Sequence, residues 1–177
     1  MNARVERLTE FRHADLNELV QATEAAISDG IGFNWMVPPG RDMLETYWKG
    51  VLVVPERVLF VGRIEGTLAA SIQLVKPGPS KETSSFAASI EAHFVAPWAR
   101  GHGLAKNLLD SAEREARSQG FSVLKLSVRQ TQEAAIKLYE ESGYTCWGVL
   151  PTYEFVNAKM IAGKFYYKNL EPITTLV

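Results

Sequence analysis

Two glycines one residue apart stand where a strand-like segment passes into a helical one, in FVAPWARGHGLAKNLLD (residues 94–110). The first N–H groups of a helix lack intrahelical partners and lie at the positive end of its dipole. Glycine lets the backbone approach an anion closely, and Arg100 adds positive charge, so the stretch is typical of a phosphate-binding loop. The alternative is an ordinary helix start, with glycine serving the turn and Arg100 in solvent.

Two common phosphate-binding motifs do not fit this stretch. A dinucleotide fingerprint needs a third glycine and a later carboxylate, but Lys106 occupies the glycine position and the next strand ends KLSVRQ. The P-loop string G-x-x-x-x-G-K-[ST] does not occur in the chain. The pattern that does fit is [QR]-x-x-G-x-[GA], met by Arg100, Gly103 and Ala105.

The strand that leads into the loop carries two candidate proton acceptors. In SFAASIEAHFV (85–95) apolar and polar residues alternate, which predicts Glu91 and His93 on one face with Ser89, and Ile90 with Phe94 on the other. Histidine has an ordinary pKa near 6.5, whereas glutamate needs desolvation or a water relay to act as a base. The alternatives are that Glu91 pairs with a cation and that His93 is a hydrogen-bonded core histidine.

The hydrophobic patterns predict the elements that must position these residues. Their order is β α α β β β α β α β β, with two strand–helix–strand passes after an antiparallel meander. This order predicts a mixed sheet with helices on both faces, in one domain over residues 1–177. The predicted segments are a strand at 5–9, helices near 13–28 and 37–52, a hairpin at 57–75, a strand at 85–95, a helix ending at Gly120, a strand at 121–128, a helix at 131–144, and strands at 144–150 and 159–170.

The composition excludes several classes of protein. The balance of 19 basic and 20 acidic residues argues against nucleic-acid binding. The single cysteine, Cys146, cannot form an internal disulfide and is expected in the core. Three isolated histidines give no metal motif, so no metal is expected. Apolar stretches are too short to cross a membrane and the first residues are polar, which predicts a cytoplasmic protein without a membrane partner.

A second motif, QEAAIKLYEESGY, lies downstream of the glycine loop. Together the two segments resemble the GNAT superfamily of acyl-CoA-dependent N-acetyltransferases, over residues ~57–168. The family pattern N-x-x-A-x-x-x-Y-x-x-x-G-[FY] falls on Gln132, Ala135, Tyr139, Gly143 and Tyr144, with glutamine in place of the usual asparagine. More loosely, GIGF (30–33) and FYYKNL (165–170) look like the tabtoxin-resistance type of small-molecule acetyltransferase.

The resemblance implies a fold and a site. The fold is α/β with mixed α+β character: a mostly antiparallel sheet of about seven strands, splayed at strands 4 and 5 and flanked by about four helices. Acetyl-CoA would be the co-substrate, with a backbone N–H near Val95 holding the thioester oxygen and Tyr139 as general acid. Many relatives place a glutamate base where this chain has Ser89, eight residues before Pro97. Glu91 is favoured as the base over His93, because it lies nearer the acceptor end and its carboxylate also attracts a cationic amine. A bulge in this strand, usual in the family, could also change which side chains face the cleft. The implied cofactor-binding residues are Phe94, Val95, Arg100, Gly101, His102, Gly103, Leu104, Ala105, Gln132 and Tyr139.

The implied function is acetyl transfer to the primary amine of a small molecule by direct attack. Protein or peptide N-acetylation is an alternative, and so is a non-catalytic acyl-CoA-binding sensor, because Ser89 has no basic group. The resemblance places the acceptor near four aromatic residues, of which one or two are expected to line the cleft. They are Phe33, Trp35, Tyr47 and Trp48. The closing strands commonly support dimers in the family, so a homodimer is a further expectation.

Overall fold

A computed structural model describes residues 2–31 and 33–170. The order of helices and strands is the predicted one, with two added 3₁₀ turns at Glu82–Ser84 and Pro97–Ala99. The strands are β1 (Ala3–Leu8), β2 (Arg57–Ile64), β3 (Thr67–Val75), β4 (Ala87–Val95), β5 (Val123–Arg129), β6 (Thr145–Val156) and β7 (Lys159–Asn169). The helices are α1 (Asp15–Ser28), α2 (Arg41–Val53), α3 (Leu104–Ser118) and α4 (Glu133–Glu141).

The seven strands form one mixed sheet in the order β1-β2-β3-β4-β5-β7-β6. The ladders between β1 and β2, β2 and β3, β5 and β7, and β7 and β6 are antiparallel. The ladder between β4 and β5 is parallel and consists of three residue pairs, which end at Ser89 and Lys125. This architecture confirms the predicted fold class.

The chain divides into two compact units, and β4 and α3 have residues in both. The first unit comprises Met1–Lys76 and Ile90–Arg114. On one face of its strands, α1 and α2 pack in an apolar cluster that includes the fully buried Leu19, Leu44 and Trp48. The opposite face receives the first turn of α3.

Close approach of α3 to the sheet requires a glycine in β2. A Cβ atom at Gly62 would lie 3.0 Å from Cδ2 of Leu104 and 3.1 Å from Cβ of Ala70. Leu104 is itself buried, so its side chain anchors the start of α3 against β2 and β3. The glycine loop that precedes α3 is therefore fixed relative to these strands.

The second unit comprises Pro77–Ser89 and Glu115–Val177. In its sheet the ring of Tyr153 lies on the backbone of Gly163, and its hydroxyl is 2.7 Å from Oγ of Ser127. The prediction that Cys146 is a core residue is wrong, because β6 is the last strand of the sheet and Cys146 is exposed on it. Strand β6 also extends six residues beyond the predicted end, because it continues past Pro151 through an irregular register to a turn at Asn157–Ala158.

Candidate active site

The glycine loop turns sharply into the helix that follows it. After the 3₁₀ turn at Pro97–Ala99, Gly101 and Gly103 have φ of +85° and +77°, and α3 begins at Leu104. These φ values favour glycine because a side chain would clash with the backbone. Both glycines are exposed, and the amides of the first helical turn have no acceptor within the helix. The geometry fits an anion held by main-chain N–H groups.

Arg100 lies beside this loop and has a carboxylate partner in the first unit. Its Nη2 donates to Oδ2 of Asp29 at the end of α1, at 2.6 Å, and both side chains are about half exposed (48% and 44%). Exposed ion pairs of this kind stabilise proteins little. An incoming phosphate could therefore replace Asp29 at small cost.

Strand β4 contains a bulge just before the loop. Ala92 has φ of +47°, in the left-handed region that non-glycine residues rarely adopt. The buried hydroxyl of Ser71 donates to the carbonyl oxygen of Ala92 at 2.8 Å. A bulge shifts the alternation of side chains by one residue, so the residues before and after Ala92 follow different phases.

The bulge separates the two candidate bases, and the prediction that they share a face is wrong. Glu91 is bonded to Arg57, and Phe94 packs in the apolar cluster beneath α1 and α2. His93 instead contacts Ala105 in the first turn of α3, on the opposite face. The prediction that Ile90 and Phe94 share a face is wrong for the same reason: Phe94 keeps the side of Glu91, so it lies across the sheet from Ile90.

The imidazole ring of His93 is hydrogen-bonded to the first turn of α3. Because a carbonyl can only accept, Nε2 of His93 donates to the oxygen of Ala105 at 2.9 Å, which fixes the tautomer with the proton on Nε2. Burial lowers the pKa of His93 to about 4, and the hydrogen bond to Ala105, which by itself would raise the pKa, offsets only part of this effect. This histidine is neutral and weakly basic at pH 7, and it links β4 to the helix start.

Glu91 belongs to a polar network that joins three strands to α2. Nη1 of Arg57 donates to Oε2 of Glu91 and to Oε1 of Gln73, each at 2.6 Å. Nε2 of the fully buried Gln73 donates to the hydroxyl of Tyr47 at 3.0 Å. Glu91 is half exposed (49%), so the network begins in the interior and ends at the surface.

Sequence reasoning missed Arg57 and Gln73. A glutamine inside the apolar run TLAASIQLV was the available signal, since a buried amide needs hydrogen-bond partners on neighbouring elements. Its partners come from α2 and β2, which lie 26 and 16 residues away in the chain.

The four aromatic residues predicted near the acceptor lie in the first unit and divide into two pairs. Phe33 and Trp48 are buried, and the ring of Phe33 lies 5.3 Å from that of Phe94. Trp35 and Tyr47 keep part of their surface exposed and pack edge to face at 5.5 Å. The buried pair is core, and the partly exposed pair lies on the same side as the Glu91 network.

In the second unit, Tyr139 and Gln132 lie on and just before α4. The phenol of Tyr139 is buried among the rings of Tyr144 and Tyr166, with centroids 5.8 and 6.3 Å away. Burial raises the pKa of Tyr139 well above its ordinary value, so the hydroxyl keeps its proton at neutral pH. Gln132 precedes the first turn of α4 and is partly exposed.

The remaining site residues lie on β4 and in the loop. Ser89 is partly exposed, and no carboxylate stands at that position. Val95 and His102 are partly exposed, and the side chain of Phe94 is core. Over residues 2–31 and 33–170, no group of three or more His, Cys, Asp or Glu side chains is arranged to hold a metal ion. None of the helices in those ranges has the length and apolar character that crossing a membrane requires.

Comparisons with known proteins agree with this architecture. Residues 18–144 match the family model described as the acetyltransferase (GNAT) family. The chain is 53% identical over 128 residues to an uncharacterized N-acetyltransferase from the hisH-hisA intergenic region of Azospirillum brasilense, covering 72% of this chain and 76% of that protein.

Two solved structures share the fold at low identity. An N-acetyltransferase from Staphylococcus aureus Mu50 aligns with a TM-score of 0.82 at 20% identity, over 97% of this chain and all of that one. The structure of yncA from Salmonella typhimurium with its cofactor acetyl-CoA aligns with a TM-score of 0.79 at 16% identity, over 97% and 96% of the two chains. The family match spans more than half of the sequence, and the chain is therefore an acetyltransferase of the GNAT family.

Proposed function

We propose that this protein transfers the acetyl group of acetyl-CoA to the primary amine of a small molecule by direct attack. The amine nitrogen forms a bond to the thioester carbon, the carbon–sulfur bond breaks, and coenzyme A leaves as a thiolate. The nitrogen loses a proton and the thiolate gains one. The observation that carries the proposal is the loop Arg100–Ala105, with its two left-handed glycines at the start of α3.

The loop suits the pyrophosphate of acetyl-CoA. Main-chain amides at a helix start bind phosphate oxygens without a salt bridge, and the helix dipole adds to the attraction. Among the described residues other than the chain neighbours, no atom lies within 4 Å of a Cβ placed at Gly101, and Nδ2 of Asn107 lies 3.9 Å from one placed at Gly103. Lys106 is already paired with Asp110 at 2.9 Å, so main-chain donors are the main binding groups.

Glu91 is the better candidate for accepting the amine proton. It is half exposed and bonded to Arg57 through one oxygen, so its second oxygen can take a proton through a water molecule. His93 is a poorer candidate, because its Nε2–H is held by Ala105 and burial lowers its pKa to about 4. In this proposal His93 positions the loop and Glu91 acts in catalysis.

Tyr139 is proposed to protonate or hydrogen-bond the departing thiolate. The support is the resemblance of its motif and the buried phenol, whose raised pKa keeps the proton in place until a strong acceptor forms beside it. Val95 would offer its backbone N–H to the oxygen that becomes negative in the transition state.

The test combines binding and turnover. Acetyl-CoA affinity is measured by calorimetry, and thiol release is followed over a panel of primary amines. Gly103→Ala places a side chain at φ +77° and should weaken acetyl-CoA binding, whereas Gly50→Ala, in the open surface of α2, is the matched control and should bind normally. Wild-type affinity in Gly103→Ala would contradict the assignment of the loop. Tight binding without turnover of any amine would favour the sensor alternative.

A further inference from the structure

The network of Glu91, Arg57, Gln73 and Tyr47 leaves hydrogen-bonding groups available at its exposed end. Both contacts of the Arg57 guanidinium use Nη1, and within the described residues its Nε and Nη2 have no acceptor. Glu91 uses only Oε2, and in the same part of the chain Oε1 has no donor. The site thus presents a free guanidinium edge next to a free carboxylate oxygen.

The guanidinium is held in place more firmly than an ordinary surface arginine. Gln73 is fully buried and fixes Nη1 from below, while Tyr47 fixes the amide of Gln73. The Arg57 side chain is only 27% exposed. A planar fork that is already oriented loses little conformational freedom when a carboxylate binds to it.

The charges of the pair define what it would accept. Arg57 and Glu91 together are neutral, so a ligand carrying only one sign of charge would leave the site with a net charge. A zwitterion matches both: its carboxylate can bind the Nε–Nη2 edge of Arg57, and its ammonium group can bind Oε1 of Glu91.

From these contacts we infer that the acceptor is a free amino acid, bound by its carboxylate to Arg57 and by its ammonium group to Glu91. This inference rests on the proposed function, because it places the amine to be acetylated beside the residue proposed as its base. Acetylation removes the positive charge of the amine, which would weaken the product's hold on Glu91 and favour its release. A peptide N-terminus lacks the neighbouring carboxylate and would bind less well.

The test measures binding separately from turnover. Calorimetry, without and with coenzyme A, compares the twenty common amino acids with their α-amides. We expect at least one amino acid to bind about 10- to 100-fold more tightly than its amide, the range for charge-assisted hydrogen bonds to a carboxylate. Arg57→Gln should abolish this preference for the acid over the amide. Arg57→Lys, which keeps the positive charge but lacks the two parallel N–H donors of the guanidinium, should reduce it. Arg41→Gln, which removes an exposed ion pair with Glu45, is the matched control and should keep it.

A second comparison tests the ammonium contact. Glu91→Gln should lower affinity for the amino acid about 10-fold but not for the corresponding hydroxy acid, since only the former carries a positive charge. Thermal unfolding of each variant checks that it is folded. The inference is overturned if no amino acid binds, if acid and amide bind equally, or if Arg57→Gln keeps the preference. Turnover of amines without any preference for a carboxylate would overturn it while leaving the proposed function intact.

Discussion

Lowering the pH should destabilise the native protein through His93. In the fold, burial lowers the pKa of His93 to about 4, whereas an unfolded chain has the ordinary value of 6.5. Between these values the unfolded chain binds a proton that the native protein does not bind. The contribution of neutral His93 to stability is therefore complete above pH 6.5 and is lost as the pH falls towards 4.

The size of this effect follows from the two pKa values. One unit of difference corresponds to about 1.4 kcal/mol of differential stability. The difference of roughly 2.5 units between the unfolded and native values gives about 3 kcal/mol over the window. Since the residue keeps part of its surface exposed, this is an upper value. The loss is nevertheless large compared with the free energy of unfolding of a typical domain, which is about 5–15 kcal/mol.

The variant His93→Gln isolates the titration. The glutamine amide can still donate to the oxygen of Ala105, but it does not gain a proton between pH 7 and 4. Urea unfolding at pH 7.0, 5.5 and 4.5 should show a smaller loss of stability in His93→Gln than in the wild type. His13→Asn, at an exposed histidine with φ of +48°, is the control and should follow the wild-type curve. Equal pH dependence in His93→Gln and the wild type would refute the buried, neutral state of His93.

Three further predictions concern stability. Ala92→Gly should stay within about 1 kcal/mol of the wild type, whereas Ala92→Val should lose more than about 1 kcal/mol, because φ of +47° disfavours a branched side chain; equal urea midpoints would contradict the bulge. Arg63→Met should cost about 3–5 kcal/mol, because the buried Asp15 carboxylate loses its guanidinium partner and keeps only the backbone N–H of Arg12 among the described residues. Burial alone would raise the pKa of Asp15, but Arg63 holds it below its ordinary value of 3.8, so the pair's contribution is present above that pH and is lost below it. Gly163→Ala should cost about 1–3 kcal/mol, because its Cβ would lie 2.2 Å from the ring of Tyr153, and the cost should shrink in a Tyr153→Ala background.

Much of the fold could be predicted because local patterns and tertiary demands coincide. The helix predicted from 13 to 28 occurs as Asp15–Ser28, where Leu19, Val20 and Ile27 are buried on one face. The hairpin predicted over residues 57–75 occurs there, with its turn at Glu65 and Gly66, which both have positive φ. In each case a short stretch of sequence carries the whole signal.

The resemblance allowed for a bulge in β4, but its position, and with it the assignment of faces, could not be predicted because the bulge has no local signal in the sequence. Alanine is the residue at the left-handed position, and neither its type nor its neighbours mark it as special. What supports the bulge is a hydroxyl from another strand, Ser71, 21 residues away in the chain. The prediction that Cys146 is buried was wrong for a related reason. Its neighbours predict a strand, but they do not show that this strand is the last one in the sheet.

The bulge in β4 places Glu91 and His93 on different faces of the sheet, so that each has a different role. Without it, Glu91 and His93 would point to one face and compete for one role, as regular alternation predicts. With it, Glu91 reaches the network of Arg57 and Gln73, while His93 reaches the carbonyl of Ala105 at the start of α3. We expect Ser71→Ala to lower both acetyl-CoA affinity and turnover. In this variant the carbonyl of Ala92 loses its buried hydrogen-bond donor, which destabilises the bulge that separates Glu91 from His93. A Ser71→Ala variant with unchanged acetyl-CoA affinity and unchanged turnover would show that the strand keeps its bulge without Ser71.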